Sequence, residues 1–186
     1  MIPRKENVLL RSLNVRKLTY AGLFLALAMV LPFITGQIPE IGKSLSPMHI
    51  PVLLCGFLCG WPWGLAVGAV APLLRSVIFG MPAMFPGAMA MAFELATYGC
   101  LSGLLYRLLK KTKANIYVTL IVSMIAGRIV WGIARLVLAG LSGNSFTWTL
   151  FLSGAVTTAI PGIILHIVLI PILVMLLERA GLSLNK

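Results

Sequence analysis

Long apolar runs follow one another through almost the whole chain, and the few charged residues gather at their ends. Hydrophobic residues make up 60% of the sequence and charged residues 10%, against about a quarter charged in soluble domains. A folded chain of this kind has too little polar surface to face water, so its outer surface must face lipid. At about 20 residues per span plus connections, its 186 residues hold about six helices and leave no room for a soluble domain. The sequence also lacks a Gly-x-x-x-x-Gly-Lys-[Ser/Thr] phosphate loop, so work that needs ATP must be supplied by another chain. We therefore expect an all-α integral membrane protein, a six-transmembrane-helix bundle with cytoplasmic N- and C-termini. It is not expected to be an enzyme or to hold a cofactor or metal.

The runs and their breakers predict the order of elements. A first span covers about Leu18 to Thr35, after a basic N-terminal segment (1–17). The apolar run continues past the signal-like Ala26-Leu27-Ala28, which marks it as a retained span. Gly36–Pro47 is a turn-rich loop. Met48–Gly60 is short for a span, and Trp61-Pro62-Trp63-Gly64 reads as a turn before Leu65–Phe79. Gly80–Gly87 is a second loop, and helices over Ala88–Leu109 and Ile116–Leu141 flank a basic loop at Lys110–Asn115. Ser142–Thr147 forms a third outer turn, and Trp148–Leu177 a last helix kinked at Pro161 and Pro171. The bundle proper is 18–178, with a cytoplasmic tail at 179–186. Whether Met48–Phe79 crosses or dips back is open from charge alone. Of fifteen Lys and Arg residues, eleven fall on the side of the termini, so the net charge of +11 follows the positive-inside pattern and implies a lipid bilayer rather than nucleic acid.

Ionisable groups inside a bilayer are expensive and mark candidate sites. Those in the spans are Arg75, Glu94, Arg128, Arg135 and His166, with Thr157 and Thr158. Arg128, Trp131 and Arg135 share one helix face at i, i+3 and i+7, and Glu94 and Tyr98 share another at i, i+4. Glu94 can pair with one arginine as a structural ion pair. A second arginine at this depth then needs water or an anionic ligand, because an unpaired buried guanidinium is costly and a carboxylate or phosphate meets it bidentately. The expected substrate site is Glu94, Tyr98, Arg128, Trp131, Arg135 and Asn144, with Arg75 and Met84 near it. Snorkelling is an equal reading for Arg75, and an ordinary connecting loop for Met84. Gly140-Leu141-Ser142-Gly143 followed by His166 resembles an intramembrane serine protease pattern. However, their predicted depths differ by some 25 Å at about 1.5 Å per residue, beyond the reach of a general base. A stand-alone permease or proton-coupled carrier is the other alternative, weakened by the single intramembrane carboxylate.

The run Ser46-Pro47-Met48-His49-Ile50-Pro51-Val52-Leu53-Leu54-Cys55-Gly56 carries a resemblance, together with Gly64-Leu65-Ala66-Val67-Gly68, Pro72-Leu73-Leu74, Met91-Ala92-Phe93-Glu94-Leu95-Ala96-Thr97-Tyr98-Gly99 and Gly103-Leu104-Leu105-Tyr106. It resembles the substrate-binding S components of energy-coupling factor (ECF) vitamin importers. The resemblance implies capture of a small water-soluble vitamin near the outer face, among the first outer loop and helices four to six. It implies partnership with a transmembrane coupling protein and two cytoplasmic ATPases, and toppling in the bacterial cell membrane to deliver the cargo. Family members dock through Ala-x-x-x-Ala in the first helix, where this chain has Gly22-x-x-x-Ala26. The arginine excess points to an anionic solute such as pantothenate. A flavin or modified nucleobase would instead use Glu94 as acceptor and Trp131 as a stacking face.

Overall fold

The computed structural model describes residues 4–34, 45–110, 112–141, 143, 147–154 and 159–185; the side chains of 4–12, 148 and 150 are not among the groups described. The helices are α1 (Arg4–Ile34), α2 (His49–Cys59), α3 (Trp61–Phe79), α4 (Met89–Leu108), α5 (Lys113–Leu141), α6 (Trp148–Leu152) and α7 (Ile160–Arg179), with a π-helical turn at Met84–Ala88 leading into α4. Five segments are long and apolar enough to cross a membrane: Leu13–Ile34, Trp61–Phe79, Met84–Leu108, Lys113–Leu141 and Ile160–Arg179. With the shorter α2 they make the expected six, so this is a multi-pass membrane protein.

The helix α2 is the exception in length. Its 11 residues rise about 16 Å at 1.5 Å per residue, roughly half a hydrocarbon core. Every one of them is buried, as a helix apolar on all sides requires. It is enclosed by α1, α3, α4 and α7. Pro51 lies in its first turn, where a missing N–H breaks no helical bond.

Three boundaries differ from the sequence reading. Trp61–Gly64 is helical, and the turn contracts to one residue, Gly60, at φ 98 and ψ 169, a conformation essentially reserved for glycine. Pro62 then sits in the first turn of α3, where its fixed φ suits a helix start. The single last helix is replaced by α6 and α7, and Pro161 starts α7 rather than kinking it. Finally, α1 extends back to Arg4, through the basic segment.

Glycines set the packing of α3 on α4. A Cβ at Gly64 or Gly99 would overlap the other's backbone, one at Gly68 would overlap Leu95, and one at Gly103 would overlap Gly60–Trp61. The contacts advance by one helical turn on each side, in opposite directions, so the two helices run antiparallel along a continuous seam. Small residues let backbones approach closely where lipid offers no hydrophobic drive to association. Gly56 of α2 meets the same stretch of α4, at Gly99, Ser102 and Gly103.

The chain's last described residues close one end of this core. Leu184 donates its N–H to the Leu58 carbonyl at 2.8 Å, and Asn185 Nδ2 donates to the carbonyls of Gly103 (3.0 Å) and Gly56 (3.5 Å). Nearby, the Tyr106 hydroxyl donates to Glu178 Oε1 at 2.6 Å. Outward faces are apolar, including Leu23, Leu27 and Val30 of α1, Ile125, Ile129 and Ile133 of α5, and Ile164 and Val168 of α7.

Two alanine substitutions should separate in sign. Gly99→Ala inserts a methyl into the Gly64 backbone and should lower stability by roughly 1–3 kcal/mol. Gly22→Ala meets nothing within 4 Å and should be neutral or stabilising by up to about 1 kcal/mol. Unfolding in detergent, followed by circular dichroism, compares them.

Candidate substrate-binding site

Glu94 is fixed on α4 one turn before Tyr98, so both project into the bundle, with relative exposures of 1% each. Three groups from three helices converge on one of its oxygens, Oε1. The Tyr98 hydroxyl donates to it at 3.1 Å, Arg128 Nη1 of α5 lies at 3.0 Å, and His49 Nε2 of α2 lies at 3.5 Å. Gly127, next to Arg128, makes room for the Tyr98 ring, which would overlap any Cβ there.

Two imidazoles complete the cluster. The His49 ring meets the Tyr98 ring edge-on at 5.3 Å and the His166 ring at 5.9 Å with a 31° tilt. His49 is the first residue of α2. It is placed by a tight turn in which Ser46 takes a left-handed φ of 47 and accepts the His49 N–H at 3.0 Å. Burying a carboxylate without partners is prohibitive; here Arg128 supplies the countercharge and Tyr98 a hydrogen bond. The Arg128 side chain stays partly accessible, 18% exposed against 2% for Glu94. Among the described residues, Arg128 Nε, both His49 ring nitrogens and His166 Nε2 have no hydrogen-bond partner. Such groups are rare in folded proteins and call for an explanation.

The structure therefore brings together Glu94, Tyr98 and Arg128 of the expected residues. Trp131 and Arg135 lie further along α5 in a separate group. The Arg135 guanidinium is 5.9 Å from the Trp131 ring centroid, and Trp131 lies 6.3 Å from the Phe151 ring of α6. Met84 is exposed at the start of the π-helical turn. Arg75 is elsewhere, between α1 and α3. It donates to the Met29 carbonyl at 2.7 Å and lies 5.2 Å from each of the Phe33 and Phe79 rings. Asn144, Ser142, Thr157 and Thr158 lie outside the described residues.

Sequence reasoning left two members out of the site. His49 enters the sequence reading only within the Ser46–Gly56 run, and His166 only as an intramembrane polar group and as the distant base of the serine protease pattern. A usable signal was present: these are the chain's two histidines, each in an otherwise apolar helix, and an ionisable residue in such a setting is a site candidate by default.

Breaking the central pair tests its energetics. Glu94→Ala should destabilise the fold by about 3 kcal/mol, because it strands a partly buried guanidinium. Adding Arg128→Ala should then be less damaging than the sum of the single changes, with a coupling of roughly 1–3 kcal/mol. A double-mutant cycle of unfolding in mixed micelles measures this.

Residues 16–174 match the family model described as ECF transporter, substrate-specific component. Comparison with curated proteins and with solved structures returns no match. Members of this family are transporter subunits that select the substrate rather than enzymes, and the match spans five long apolar helices and the buried cluster. The chain belongs to the substrate-specific components of ECF transporters.

Proposed function

We propose that this chain captures a small water-soluble vitamin or related micronutrient that carries a carboxylate or comparable anionic group. The observation that supports it is the charge and donor balance of the α4–α5 region. Away from the ends of these two helices, which carry Arg107 and Lys113, Glu94 contributes −1, and Arg128 and Arg135 contribute +1 each, a formal sum of +1 with neutral histidines. Arg128 also keeps its Nε without a partner among the described residues, although its Nη1 is engaged. An incoming carboxylate can pair with that free edge in a charge-assisted, bidentate way. Pantothenate is one vitamin of this class. A flavin or nucleobase held by Glu94 is less favoured, because Oε1 already takes three contacts.

Capture occurs at the outer face of the bacterial cytoplasmic membrane, with both termini inside. The cluster lies toward the end of the bundle where α2, α4 and α7 begin. The opposite end carries Arg16, Lys17, Arg107, Lys110, Lys113 and Arg179, the arrangement expected of a cytoplasmic face. Release is driven by a coupling protein and two ATPases in other chains. The docking surface for the coupling protein is α1, where Gly22 and Ala26 are exposed beside Leu23 and Leu27.

Two experiments bear on this reading. In a thermal-shift screen of water-soluble vitamins, a compound present at 100 times its Kd should add about 2.7 kcal/mol of stability. The hits should be anionic, and Arg128→Lys, which keeps the charge but loses the fork, should weaken them roughly tenfold or more. A panel whose hits are all uncharged would overturn the anionic reading. In cells carrying the complete transporter, Gly22→Trp should abolish uptake while leaving ligand binding to the isolated chain unchanged. Uptake unaffected by Gly22→Trp would remove α1 as the docking surface.

A further inference from the structure

The chain's two histidines sit on α2 and α7, far apart in sequence, yet the fold brings their rings to 5.9 Å. Their relative exposures are 1% and 2%. A buried imidazole is ordinarily satisfied at both nitrogens, and these are not. The pattern of what is satisfied assigns their protons. Of the two His166 ring nitrogens, Nε2 is buried without a partner among the described residues. In a neutral imidazole one nitrogen donates and the other accepts. The His166 tautomer with its proton on Nδ1 leaves a lone pair on the unpartnered Nε2. His49 turns Nε2 toward the Glu94 carboxylate at 3.5 Å. The carboxylate is an acceptor, so the N–H belongs on Nε2 and the lone pair on Nδ1, which also has no partner among the described residues.

The cluster thus holds two acceptor nitrogens as well as the unpartnered Nε donor of Arg128, with His49 and Arg128 meeting at the same Glu94 oxygen. A simple anion satisfies only the donor side. A buried acceptor left unmatched costs about 1–3 kcal/mol, so the full set fits a ligand that also brings hydrogens of its own.

We propose that His49 and His166 form a paired-imidazole subsite that selects solutes carrying a hydroxyl or N–H donor in addition to the anionic group taken by Arg128. It rests on the anionic reading above. The chemical class is a hydroxylated or amide-bearing carboxylate. His49 and His166 set specificity by rejecting anions of similar size that lack donors. A site built to hydrogen-bond a substrate O–H or N–H discriminates strongly against an analogue without it, because the site's own buried groups are then left unpaired.

The test uses the full chain labelled with 15N-histidine, in which two residues give four ring-nitrogen signals. The probes are pantothenate (a carboxylate with hydroxyls and an amide), nicotinate (a carboxylate without O–H or N–H donors) and pyridoxine (an uncharged molecule with hydroxyls). Calorimetry runs in parallel on the parent and on His49→Phe and His166→Phe. Pantothenate should move the two lone-pair 15N signals upfield and bind roughly 100-fold more tightly than nicotinate, and each substitution should remove tenfold or more of that preference. The spectra of the parent chain keep the test valid if a variant misfolds. Equal binding of pantothenate and nicotinate with unmoved 15N signals would overturn the subsite and leave anion capture standing. Pyridoxine moving those signals while neither carboxylate binds would overturn anion capture and support donor recognition. No 15N change with any of the three at millimolar concentration would overturn the subsite.

Discussion

The glycine seam between α3 and α4 sets the distances on which the remaining contacts depend. With Gly64 against Gly99, Gly68 against Leu95 and Gly103 against Gly60–Trp61, the two backbones approach closer than any side chain would allow. That approach makes the cage in which α2 is enclosed. In a bilayer this matters more than in water, because apolar side chains gain little by leaving lipid and close backbone packing has to supply the cohesion. A buried half-length helix is costly to arrange. Here it brings a histidine into the interior at a helix N-terminus rather than on a lipid-facing surface.

Glu94 is the electrostatic centre of that interior. A fully buried carboxylate is stable only with its countercharge and hydrogen bonds in place, and α2, α4 and α5 each provide one contact to the same oxygen. Three helices are thereby held in mutual register by one atom. The arrangement also leaves Arg128 divided, with one nitrogen tied inward and another unpartnered. This division reconciles a structural ion pair with a ligand site. The Glu94 contact orients the guanidinium, and the unpartnered Nε is the atom to which the proposed function assigns the anion.

Much of this was legible in the sequence, and the reasons differ by residue. Apolar runs and breakers report burial in lipid directly, so the number and order of the long apolar helices follow from them. The i, i+4 spacing of Glu94 and Tyr98 is local geometry, and it is enough to place the hydroxyl beside the carboxylate. That Glu94 meets an arginine follows from charge economy, since it is the one acid placed away from the ends of the described spans, but the choice of Arg128 over Arg135 does not. Arg75 shows where this reasoning stops: its partners, a backbone carbonyl and two phenylalanine rings, leave no charge pattern in the sequence. The meeting of His49 with His166 is purely tertiary, and so is the one-residue turn at Gly60, which only the backbone angles reveal. The division between α6 and α7 was hidden because a proline at a helix start and a proline at a kink look alike in a string of letters.

The helix α2 is fastened at both ends. His49 is engaged with Glu94, Tyr98 and His166 at one end, and Leu58 receives the Leu184 N–H at the other. A rod clamped in this way has no freedom to slide or screw, since a shift of one turn would release both clamps together. The buried cluster is therefore tied to a stiff chassis that runs from His49 to the contact with Leu184. Such a part can be tilted as a whole, as a key turns in a lock, without the cut of the key changing. Under the proposed function, delivery and recognition then become separable problems, one solved by how the whole bundle moves and the other by side chains that keep their relative positions while it does.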